Sequence, residues 1–152
     1  MRGFVIGFGV ILVVGLIALA VARSGEGSGS RANPNDTRLV AQGRIVYGQY
    51  CASCHGATLE GQPNWQDELP EGGRLAPPHD ASGHTWHHAD ALLFEIVQKG
   101  PEANPLPGYV YRMPAFGGTL NDDEIWAVLA YIKSTWPPDI LAAQEEVNTQ
   151  SR

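Results

Sequence analysis

Residues 50–61 read YCASCHGATLEG and hold the only two cysteines of the 152-residue chain, with a histidine directly behind the second. Cys51, Cys54 and His55 admit four readings: a disulfide, a corner of a zinc site, a redox dithiol, or a haem attachment site. A disulfide across two intervening residues is sterically poor outside a dedicated redox site, and it leaves the histidine without a role. Zinc takes four ligands, of which one C-x-x-C supplies two. A thioredoxin-like dithiol expects a preceding strand, whereas the pattern ahead of Cys51 is helical. C-x-x-C-H is also the signature of c-type haem, in which both sulfurs form thioethers and the histidine binds iron.

Upstream of the motif, Asp36 can cap a helix over 37–50 whose apolar side carries Leu39, Val40, Ile45, Val46, Tyr47 and Tyr50. Downstream, a second helix is expected from Asp90 to Lys99, with Leu92, Leu93, Ile96 and Val97 on one face and Gly100 as its stop. The third is NDDEIWAVLAYIKSTWPP: Asn121 is the N-cap, Glu124 completes a capping box, and Asp122 and Asp123 meet the positive end of the helix dipole. Ile125, Val128, Leu129 and Ile132 make its buried stripe, and Pro137 and Pro138 end it. Between these helices lie two long proline-rich loops, 56–89 and 101–120, and no run alternates well enough to be a strand. The expected class is all-α. Loops of this length in a small domain point to function or to a large ligand.

A haem also wants a second axial ligand. The chain's one methionine besides the initiator is Met113, in YRMPAF, 58 residues after His55 and just before the last of these helices. A thioether favours ferrous iron and raises the reduction potential, as suits an electron carrier.

With these pieces in order, residues 37 to about 136 resemble the class I c-type cytochromes. The resemblance rests on GRIVYGQYCASCHG, LAPPH, YRMPAF and DDEIWAVLAYIK. It implies a cytochrome c fold wrapped around one covalently bound haem c, held by Cys51 and Cys54 and ligated by His55 and Met113. It implies a close crossing of the first and last helices at Gly43, Tyr47 and Tyr131, where glycine lets two backbones approach. It also implies a proline carbonyl that fixes the proximal histidine ring; Pro77 matches that position, with Pro78 as the alternative. One feature departs from mitochondrial-type members: instead of a lysine ring the domain has only Lys99 and Lys133.

Outside the domain, residues 3–22 form twenty consecutive residues without a charge, about 30 Å of helix, enough to cross a bilayer. The expected organisation is an N-terminal transmembrane anchor over 1–22, a flexible Gly/Ser linker over 23–36, the cytochrome domain over 37–136, and a solvated C-terminal tail over 137–152. A cleaved signal peptide is the alternative for the first segment, although the run is long for one. Gly3 and Gly7 form a small-xxx-small pair able to pack against a partner helix. Residues 37–152 keep seven of the ten basic and fourteen of the sixteen acidic residues, a formal charge of −7, which argues against a nucleic-acid partner.

The remaining histidines, His79, His84, His87 and His88, fall within ten residues of one another in PPHDASGHTWHHAD. They invite a second metal, or a bis-histidine haem that bypasses Met113. The plainer reading is a loop over the haem edge, with Trp86 and one or two histidines hydrogen-bonded to propionates or backbone. The resemblance as a whole implies a carrier of single electrons between redox complexes, of oxidase, quinol–cytochrome c reductase or reaction-centre type. It would work at the outer, periplasmic face of a bacterial inner membrane, with no small-molecule substrate and no catalytic residues. The alternative is a haem c subunit of a larger oxidase or periplasmic dehydrogenase; an open-iron peroxidase or gas-binding haem is disfavoured by Met113.

Overall fold

A computed structural model describes residues 30–103 and 107–151. The apolar run 3–22 lies outside the described residues, among which no helix is long and apolar enough to cross a membrane.

The domain is built on a crossing of two helices. Helix α1, Thr37–Tyr50, starts where the Asp36 carboxylate accepts from the amides of Arg38 and Leu39 at 3.0 and 3.1 Å, and it buries Gly43, Val46 and Tyr47. Cys51 closes it, and a single further turn, α2 (Ala52–His55), follows at once. Helix α3, Asp90–Lys99, is laid down next, and α4, Asp122–Ser134, crosses α1. Both halves of the capping box form at Asn121 and Glu124. The core is α4's buried face of Ile125, Val128, Leu129 and Ile132, packed with Val46, Tyr47, Leu59, Leu93 and Trp136.

Gly43 makes the crossing possible. A Cβ there would overlap the Ala127 carbonyl and come within 2.9 Å of the Tyr131 Cβ, so no other residue fits without separating the helices. The Tyr47 and Tyr131 rings meet alongside at 5.4 Å between centroids. The contact implied by the resemblance is therefore present. Among the described residues there is no strand, and short 3-10 turns interrupt the long loops at Thr85–His87 and Gly100–Ala103.

Two expectations about the flanks are corrected. The segment after residue 136 is not a solvated extension: Pro137 and Pro138 end one helix and open another, α5, spanning Pro138–Gln150 with Pro138 in its first turn. Its buried side chains are Gln144 and Asn148, 1% and 8% exposed. They close on Asp90, whose carboxylate pairs with Lys133 at 2.8 Å, accepts from Gln144 Nε2 at 2.7 Å, and whose amide donates to Asn148 Oδ1 at 2.7 Å. Of the stretch read as a flexible linker, residues 30–36 lie against the domain: Ala32 is fully buried, Ser30 Oγ donates to Asp90, and the Arg31 guanidinium lies 5.7 Å from the centroid of the Trp126 ring.

Candidate functional site

The site begins where α1 hands over to α2. Cys51 is half-buried at the end of α1 and Cys54 exposed three residues on, so one helical turn places the pair on one side. Both thiols are free among the described residues, and burial, with the neighbouring Cys54 adding to it, pushes the Cys51 thiol up to about 11. The turn is held from behind by Tyr47, whose hydroxyl donates to the His55 and Gly56 carbonyls at 3.3 and 3.0 Å. Burial raises that phenol far above its ordinary range, so it stays a donor.

His55 ends α2 and is only 7% exposed. Its Nδ1 lies 2.8 Å from the Pro77 carbonyl. A carbonyl can only accept, so the proton sits on Nδ1 and Nε2 keeps its lone pair. Burial lowers the pKa of this imidazole and outweighs the opposing effect of the Pro77 hydrogen bond, which leaves the ring neutral. The result is a buried, oriented, neutral imidazole beside two thiols.

The loop reaches His55 because Gly61 lets it turn back. At φ 69°, Gly61 lies so close to Pro77 and Pro78 that a Cβ would strike their backbone. The amide of Gly61 donates to the His55 carbonyl at 2.8 Å, and that of Gln62 to Ala76 at 2.9 Å, which brings Pro77 alongside. The Pro78 carbonyl points elsewhere, against Gly83. Met113 comes from another part of the chain, half-buried in the segment leading into α4. Its neighbour Arg112 binds Glu71 at 2.7 Å, and Val110 lies against Gly73, so the two long loops are clasped together beside the methionine.

The four remaining histidines separate into different roles. His79 stacks flat on His55, centroids 3.9 Å apart at 18°. His84 stacks on Trp65 at 5.3 Å and meets His88 edge-on at 5.5 Å, while His87 stacks on Trp86 at 3.6 Å. Trp86 Nε1 donates to the Gly83 carbonyl at 3.1 Å. Among the described residues no three His, Cys, Asp or Glu side chains converge as a metal site. Burial lowers the pKa of His79, His84 and His88 alike, most strongly for His79, and neighbouring histidines add to it. The His55–His79 stack is not legible from the residues alone, because nothing in the spacing of PPH says which way the loop carries the ring.

Residues 38–132 match the family model described as cytochrome C oxidase, cbb3-type, subunit III. No solved structure matches the chain.

Proposed function

The chain belongs to the cytochrome c oxidase, cbb3-type, subunit III family, and from that premise we propose that it is a membrane-anchored monohaem cytochrome c carrying single electrons between redox complexes. The donor set fits the group. Two unpaired thiols precede a neutral imidazole whose Nδ1 is already occupied by Pro77, so Nε2 is the nitrogen left for iron. Cys51 and Cys54 would hold haem c through thioethers, and His55 and Met113 would ligate its iron. Haem, when bound, supplies one-electron ferric/ferrous chemistry. Pro77 orients the His55 ring and makes it a stronger donor, and Tyr47 keeps the turn that carries it from unwinding. No bond is made or broken in this account and no small-molecule substrate is bound.

The observation that carries the reading is the His55–Pro77 contact, which prepares a ligand with one free nitrogen. The chain has one C-x-x-C-H and no further cysteine, which supports a single haem. Residues 3–22 support anchoring at the outer face of a bacterial inner membrane. The test is haem content after maturation in a haem-attaching host: one haem per chain, lost in a Cys51→Ser/Cys54→Ser variant, is expected, and any other ratio contradicts the monohaem reading.

A second reading, a fixed haem c subunit of a larger oxidase, is favoured by the description of the matching family. Gentle detergent extraction separates the two. A carrier leaves the membrane alone, whereas a subunit brings its oxidase partners.

A further inference from the structure

We propose that His79 is a positioning residue that fixes the plane of the His55 ring, and through it the orientation of the iron's axial imidazole. This rests on the reading of His55 as an iron ligand.

The Pro77 hydrogen bond alone does not determine the ring plane. A single contact at Nδ1 fixes where one corner of the imidazole lies and still allows the ring to tilt about that corner. The flat stack supplies the second restraint: with His79 parallel at 3.9 Å, tilting His55 drives a ring edge into its neighbour. Two restraints from the same short segment, a carbonyl at residue 77 and a ring at residue 79, leave one orientation.

His79 is itself held firmly enough to act as a stop. Its amide donates to the Leu59 carbonyl at 2.8 Å, and its carbonyl accepts from Trp136 Nε1 at 2.8 Å. Its ring stands edge-on to Tyr47 at 5.9 Å between centroids. Tyr47 belongs to the α1–α4 crossing and Trp136 follows α4, so buried side chains of the core back the stack. The side chain at 79 is a poor choice for simple filling. Its Nδ1 is shut off from solvent and has no hydrogen-bond partner among the described residues. A leucine would occupy the space without stranding a polar atom, but it has no flat face to lay against His55.

An imidazole bound to low-spin ferric iron donates into one or other d orbital according to its plane. The plane is therefore read directly in the pattern of paramagnetically shifted haem methyl resonances. The experiment uses the haem-loaded protein and compares wild type with His79→Phe, which keeps a flat face, and His79→Leu, which does not. The expected result is a wild-type methyl pattern for His79→Phe and a reordered pattern for His79→Leu, with a shifted reduction potential. A wild-type pattern in His79→Leu overturns the proposal, because a residue that only fills space would leave the ring plane unmoved. If His79→Leu fails to mature, the ferrous wild-type protein decides. Cross-relaxation between the His55 and His79 ring protons is expected, and its absence overturns the proposal. Failure of the underlying reading looks different: the strongly shifted ring protons of a bound imidazole would not assign to His55 at all.

Discussion

At the residue scale, a few side chains have little latitude. Gly43→Ala would push a methyl into the Ala127 carbonyl, a backbone atom that cannot swing aside, so the helices must part. Overpacking of this kind costs about 1–3 kcal/mol, and the urea midpoint of the haem-loaded protein should fall accordingly. Tyr47→Phe removes the donor to the His55 and Gly56 carbonyls, for an expected loss of about 1–2 kcal/mol by the same measurement. The histidines add a pH dependence of definite sign. His79, His84 and His88 all have folded pKa values below the ordinary 6.5. As pH falls through about 6.5 the unfolded chain takes up protons before the folded one, so stability is full above that value and is lost progressively below it. Urea midpoints measured from about pH 7 down to about pH 5 should decline, and His79→Phe should remove part of the decline. A flat profile would mean these rings are as easily protonated folded as unfolded.

At the element scale, α1, α3 and α4 were legible because their signals are local: Asp36 and the Asn121–Glu124 box mark starts, and apolar stripes mark buried faces. Helix α5 was not, because the only buried side chains it has are two amides, Gln144 and Asn148, while Ile140 and Leu141 reach the core only partly buried. Gln144 and Asn148 read as solvent-facing until the structure shows the Asp90 carboxylate and the Lys133 ammonium waiting beneath them. A buried ion pair is itself invisible in a sequence, since Lys133 sits in the last turn of α4 where a lysine also suits the helix dipole. The side chains of this pair are 4% and 11% exposed, so breaking it strands a charge. Lys133→Met should cost about 3–5 kcal/mol in the denaturant midpoint, and adding Asp90→Asn should recover part of the loss. No recovery in the double variant would show that the Asp90 carboxylate is needed by Gln144 and Ser30 more than by Lys133. The site was legible to the extent that it is motif: Cys51, Cys54 and His55 fall within five residues, and Pro77 follows from the resemblance. The His79 ring was not, because its position depends on the fold-back at Gly61 and on Trp136 from beyond α4.

At the scale of the whole molecule, an acidic domain of formal charge −7 over residues 37–152 should meet basic partners and repel acidic ones. Oxidation by a cationic reagent should outpace oxidation by an anionic one of equal driving force. The gap should narrow as ionic strength rises from about 0.01 M to about 0.15 M, where the Debye length shrinks from about 30 to about 8 Å. Equal rates at low salt would mean the charge is spread away from the electron-exit edge. The packing of residues 30–36 is a second whole-molecule feature: Ser30 is held beside Asp90, at the N-terminus of α3. The proposed function depends on His55 and Met113 serving as the iron ligands. The most direct test is the visible and near-infrared spectrum of the haem-loaded protein, oxidised and reduced, with and without carbon monoxide. The account predicts a single low-spin c-type haem with a methionine-to-ferric charge-transfer band, no response to carbon monoxide in the wild type, and loss of the band with carbon monoxide binding in Met113→Ala. A wild-type protein that binds carbon monoxide, or that lacks the band, would contradict it and take Met113 off the iron.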